Sequence, residues 1–93
     1  HHRIFVFSPK GDAFDLPDGA TPVDFAYAVH TGLGDQVGGA KVNRKMVGLD
    51  YKLKNGEVVE ILKSKNKKNP SGDWLDFVVT RLAKRKINKR MKS

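Results

Sequence analysis

The stretch DLPDGATPVDFAYAVHTGLGDQVGGAKVN, residues 15–43, decides how the chain folds. Leu16 and Pro17 end an alternating apolar–polar run, so the segment opens on the tail of a strand. Thr21 is a good helix N-cap, because its hydroxyl can accept from a backbone N–H one turn further on. Pro22 follows at the first helical position, where a missing N–H costs nothing. Asp24 stands at the capping-box spacing and favours the positive end of the helix, although its side chain is shorter than the usual Glu. Val23, Phe25, Ala26 and Val29 are expected on the buried face. Gly32 and Gly34 are expected as left-handed stops. His30 falls where this helix should finish.

On the N-terminal side, RIFVFS (residues 3–8) is short, apolar and rich in β-propensity, which predicts a strand buried on both faces. PKGD (9–12) supplies turn residues, and AFDLP (13–17) completes a hairpin. On the C-terminal side, GGAKVN (38–43) and KMVG (45–48) predict two short strands around a turn at Asn43-Arg44. Asn55-Gly56 predicts another tight turn before a last strand, EVVEILKS (57–64). The predicted order is β-β-α-β-β-β. That order places the chain in the α+β class, as a β-grasp (ubiquitin-like) mixed sheet with one packed helix, followed by a C-terminal helical extension.

The domain expectations are these. Residues 1–2, two histidines, read as a tag remnant on a piece of a longer protein. Residues 3–64 form the β-grasp domain, 65–72 a basic linker broken by Pro70, and 73–92 a basic helical segment. In that segment Leu75, Val79, Ala83, Ile87 and Met91 recur every four residues. Each four-residue step overshoots a helical turn by roughly 40°, so the stripe drifts about 160° around a straight rod. Such a helix must wrap or break, and Thr80, after the β-branched pair Val78-Val79, is the expected break.

The 93 residues suffice for one small domain. No cysteine is present, which excludes a disulfide framework and a cysteine-ligated zinc site and suits a cytoplasmic protein. No apolar run approaches the roughly 20 residues of a membrane span. Up to Leu62 the chain holds 7 Lys+Arg against 8 Asp+Glu; from Lys63 onward it holds 11 against 2. The formal charge of +8 therefore belongs to the last third, which favours an anionic partner, nucleic acid first. A solvated linker helix is the plainer explanation of the same block.

No phosphate loop, nucleophile elbow or paired-carboxylate arrangement stands out, so no catalytic residue is expected. His30 has no internal histidine or cysteine to share a metal with, so no metal or cofactor is expected either. His30 keeps two readings: a cap on the last helical carbonyls, or a recognition residue that stacks on a base and hydrogen-bonds a ribose or phosphate. Gly32 is a backbone device that also admits close approach of a ligand. Lys41 and Arg44, with Lys45, add charge near the same end, or are ordinary solvated strand residues.

VFSPKGDAFDLPDGATPVDFAYAVHTGLG, followed by GAKVN and by YKLKNGEVVEILKS, resembles the TGS domain. Threonyl-tRNA synthetases, a class of GTPases and the RelA/SpoT enzymes of the stringent response carry that domain. The resemblance covers residues 4–64, and NPSGDWLDFVVTRLAKRKI resembles the segment that follows TGS in RelA/SpoT proteins. It implies a parent that is a GTP pyrophosphokinase, a guanosine-3′,5′-bis(diphosphate) 3′-pyrophosphohydrolase, or both. The catalytic domains would lie outside this chain. It implies a non-catalytic domain that contacts the 3′-CCA end of uncharged tRNA on the ribosome. The family's helix-terminal IHT motif stands here as Val29-His30-Thr31. The resemblance thus points to His30 and Thr31, with Gly32, Lys41 and Arg44 as neighbours of the bound end. Docking on the parent's own catalytic domains, or on an acyl carrier protein, is the alternative role.

Overall fold

The structure is a computed structural model and describes residues 2–65 and 70–92. His1 of the expected tag remnant and residues 66–69 of the expected linker lie outside the described residues. Strands β1 (Arg3–Phe7) and β2 (Ala13–Pro17) form the N-terminal hairpin, with Ile4 opposite Leu16 and Val6 opposite Phe14. Helix α1 (Pro22–Val29) and a short helix α2 (Thr31–Asp35) follow. Strands β3 (Val37–Val42), β4 (Lys45–Val47) and β5 (Val59–Lys63) form an antiparallel ladder in the order β4-β3-β5. A parallel bridge between Phe7 and Val58 joins the two ladders. Phe7 N–H donates to the Glu57 carbonyl at 2.9 Å and Gly56 N–H to that of Phe5 at 2.7 Å. The resulting order, β2-β1-β5-β3-β4 with β1 and β5 parallel, is the β-grasp arrangement.

The turns are built as their residues predict. Asn43 and Arg44 both take positive φ (49° and 72°), the conformation a two-residue hairpin needs to match strand twist. The Asn43 side chain then accepts from Val58 N–H at 3.0 Å, so the turn also fastens the start of β5. Gly56 has φ of 89°, open to glycine and strained for most other residues. Asn55, beside it, accepts from Phe5 N–H at 2.8 Å.

The first cluster of the core lies between α1 and the sheet: Ile4, Val6, Leu16, Ala20, Phe25, Val42, Leu53 and Val59. Phe14 meets Phe25 edge to face, with ring centroids 5.2 Å apart. β1 is not buried on both faces. Ile4 and Val6 point inward, while Phe5 is 50% exposed on the outer face. One-sided burial is normal where a sheet has a helix on one side only. Val29, expected on the buried face of α1, is also exposed.

The second cluster lies on the other flank of α1. Val23 and Tyr27, one turn apart, pack against Val78, Ala83 and Ile87 of the C-terminal segment. Of the two alternatives, wrapping or breaking, that segment breaks, and Thr80 stands at the break. A 3₁₀ turn (Gly72–Asp76) precedes an irregular stretch, and α3 (Arg81–Met91) starts from Thr80 as N-cap. The stripe is corrected accordingly: Ala83 and Ile87 are buried, but Val79 and Met91 are exposed and Val78 takes the inward place. Residues 73–92 are thus not one helix.

Asp24 joins the two clusters. It is 1% exposed. Its carboxylate accepts from Thr21 N–H and the Thr21 hydroxyl, both at 2.9 Å, which closes the capping box of α1. It also accepts from Val79 N–H at 3.1 Å, Thr80 N–H at 2.9 Å and the Thr80 hydroxyl at 2.8 Å. The Thr80 oxygen in turn accepts from Ala83 N–H at 3.1 Å and caps α3. Burying a bare carboxylate costs several kcal/mol, so these donors are what make the burial tolerable. Asp24→Ala is expected to lower unfolding stability by about 3 kcal/mol, because it orphans donors at two helix starts. Asp15→Ala, which removes the exposed ion pair to Arg3, is expected to cost at most about 1 kcal/mol. Urea unfolding of both variants checks the contrast.

Candidate functional site

His30 sits at the junction of α1 and α2 and serves both. Its backbone N–H donates to the Ala26 carbonyl at 3.1 Å and closes α1. Its φ of −167° and ψ of 139° are extended, so the chain leaves the helix there without glycine. Its ring then turns to the next helix: Nδ1 accepts from Gly32 N–H at 2.9 Å, as an N-cap. The expected cap was a donor to the end of α1. The observed ring is an acceptor at the start of α2. Gly32 and Gly34 are correspondingly not left-handed stops, for both lie inside α2. Gly32 lies close under the ring, and a Cβ there would stand 3.0 Å from Nδ1 of His30, so a larger residue would press on the capping ring. Gly34 is needed because a Cβ would overlap the Tyr27 ring.

The cap leaves a defined outward chemistry. With Nδ1 accepting, the neutral imidazole carries its hydrogen on Nε2. Nε2 makes no hydrogen bond among the described residues, and the residue is exposed. The ring can therefore donate to a hydroxyl or phosphate oxygen and offer a face for stacking. Thr31, half-buried, lines a hollow with Lys86, Lys89 and Arg90 of α3. Those three cations share one face of α3 by their spacing of three and four residues. The sequence showed them as part of a basic block; their placement beside the His30 turn needed the docking of α3.

The expected site residues fall into two groups. His30, Thr31 and Gly32 are together. Lys41 and Arg44 line a different hollow with Pro9, Asn43, Val58 and Glu60. Lys41 alternates with the buried Ala40 and Val42, so it projects from the sheet face opposite α1. The expectation that all five surround one end is corrected: the sheet separates them. Among the described residues no group of three or more His, Cys, Asp or Glu side chains could hold a metal ion. Nor is any helix among them long and apolar enough to cross a membrane.

Comparison with known proteins agrees with the fold and extends beyond it. The TGS domain family matches residues 4–63. The bifunctional (p)ppGpp synthase/hydrolase RelA of Mycobacterium tuberculosis is 58% identical over 86 residues, covering 91% of this chain and 12% of the relative. A GTP pyrophosphokinase of Myxococcus xanthus is 56% identical over 85 residues, covering 91% and 11%. A guanosine-3′,5′-bis(diphosphate) 3′-pyrophosphohydrolase of Aquifex aeolicus is 52% identical over 90 residues, covering 97% and 13%. The chain spans about a tenth of the length of these relatives. A match over 97% of the chain necessarily runs into α3, so the extension is shared as well as the sheet. The crystal structure of a GTP binding protein from Pyrococcus horikoshii superposes with a TM-score of 0.62 at 30% identity, over 66% of this chain and 21% of that one.

Tyr27, beneath α2, carries a pH signature. Burial raises its phenol above the ordinary value, and the hydrogen bond it donates to Asp35 raises it further. The folded state therefore favours the neutral phenol. The associated stability is present below the unfolded value near pH 10 and falls as pH rises beyond it. Urea midpoints measured from about pH 8 to pH 11 should show this fall, and Tyr27→Phe should make it shallower.

Proposed function

We propose that this chain, which belongs to the TGS domain family and matches RelA/SpoT-type proteins over nearly its whole length, is a non-catalytic sensor of uncharged tRNA. In its parent, a (p)ppGpp synthetase, hydrolase or both, it would bind the 3′-CCA end of deacylated tRNA on the ribosome and report nutrient stress to the catalytic domains. That role places it in the cytoplasm. The observation that carries the reading is the exposed His30 imidazole, fixed through Nδ1 with Nε2 outward. A free CCA end is single-stranded, so its bases are open to stacking and edge recognition. Thr31 and Gly32 would border the terminal nucleotide, and Lys86 and Lys89 would face its phosphates. Lys41 and Arg44, on the opposite side of the sheet, would meet the ribosome or another part of the RNA. A close fit around the terminal hydroxyl would reject an esterified amino acid by clash.

One observation favours docking on the parent's own domains or on an acyl carrier protein. Phe14, Phe25, Val29 and Leu33 line an apolar groove beside the 9–12 turn. Salt separates the two: RNA binding weakens steeply with ionic strength, whereas apolar docking does not.

His30→Ala in the full-length parent should abolish activation by ribosomes carrying uncharged tRNA, while the stability of the chain changes by about 1 kcal/mol, the value of one N-cap. Normal activation of that variant would refute the reading. So would equal binding of uncharged and aminoacylated tRNA.

A further inference from the structure

α2 spans five residues, two of them glycine. Helices shorter than about 12 residues are marginal in water, so α2 does not hold its own shape. Its support comes from outside. Gly34 lies against the Tyr27 ring. Asp35, at the far end of α2, accepts from the Tyr27 hydroxyl through Oδ1 at 2.9 Å. Its Oδ2 accepts from Nε of Arg90 at 2.8 Å and pairs with Nη2 at 2.8 Å. The Asp35 side chain is 11% exposed, so this ion pair is screened far less than one in open solvent. Arg90 belongs to the last turn of α3. The other end of α3 is fastened to Asp24. α3 is thus held at both ends by acidic residues, one on α1 and one on α2, and its second tie reaches the helix that His30 caps.

We propose that Arg90 and Asp35 are positioning residues for His30. Through α2 they hold Gly32 N–H where it meets Nδ1, and so fix the ring's rotamer and tautomer. The C-terminal helix, which lies past the stretch matched by the TGS family, is by this account a working part of the site. The consequence for RNA rests on the reading given under Proposed function; the coupling itself does not. Without the tie, α2 frays and the ring samples several orientations, of which one binds. Apparent affinity falls by the fraction of chains that remain ordered. If about one chain in ten keeps the bound geometry, the loss is about tenfold.

The test has an arm without RNA. Nitrogen-resolved NMR of the histidine rings in the 93-residue chain reports which nitrogen of His30 carries the hydrogen. The native chain should show Nε2–H alone. Arg90→Gln and Tyr27→Phe should each produce averaging between the two tautomers, and Arg90→Lys should restore much of the native signal by keeping the charge. Arg85→Gln, on the exposed side of α3, should change nothing. A native His30 spectrum in both Arg90→Gln and Tyr27→Phe overturns the proposal. In a second arm, Arg90→Gln in the full-length parent should weaken uncharged-tRNA binding about tenfold. If the spectrum changes as expected while neither Arg90→Gln nor His30→Ala affects tRNA binding, the positioning role stands and the RNA reading falls. If His30→Ala abolishes binding while Arg90→Gln alters neither spectrum nor affinity, the RNA reading stands and the positioning role falls.

Discussion

A carboxylate almost sealed from water organises this molecule. Asp24 is 1% exposed, and burial of a polar group that deep is tolerable only with hydrogen-bond donors around it. The donors come from two helix starts that are far apart in sequence: Thr21 from α1, and Val79 and Thr80 from the approach to α3. One side chain therefore finishes both caps. The sheet and α1 would be recognisable without α3, but α1 would expose Val23 and Tyr27, and Asp24 would keep only the two Thr21 donors of its five. Each of those two side chains contributes on the order of 1.5–3 kcal/mol by burial. That is a large share of the margin by which a domain of this size stays folded. The C-terminal segment is accordingly a second wall of the core.

The same arrangement determines what the surface offers. α1 uses two flanks, Phe25 toward the sheet and Val23 with Tyr27 toward α3. Its C-terminal end is left over, and there His30 closes one helix with its backbone and opens the next with its ring. α3 brings Lys86, Lys89 and Arg90 alongside. The basic charge of the last third is thereby delivered beside the turn that carries His30. The cations of the Asn43-Arg44 hairpin remain on the far face of the sheet.

Much of this was legible in the chain. Thr21, Pro22 and Asp24 mark the start of α1, because capping chemistry is local. Asn43-Arg44 and Asn55-Gly56 mark their turns, because positive φ and side-chain bonds to the backbone restrict the residues that fit. The arithmetic of a four-residue stripe on a 3.6-residue helix left wrapping or breaking, and the β-branched pair Val78-Val79 pointed to Thr80 as the break. What was hidden depends on contacts between distant residues. TGLGD reads as a stop by composition, and becomes a helix only because His30 caps it, Tyr27 backs it and Arg90 ties it down. An apolar run such as RIFVF does not reveal which side a helix will cover. Nor does a basic block reveal which three cations will line a hollow with Thr31.

Fastening at Asp24 makes α3 and the β-grasp body one cooperative unit. Native-state hydrogen exchange measures this directly. The Val79, Ala83 and Ile87 amides should open only with the same free energy as Phe25 and the core strands, the free energy of global unfolding. Exchange of the α3 amides at a much lower free energy, with α1 still protected, would show an appended helix and contradict it.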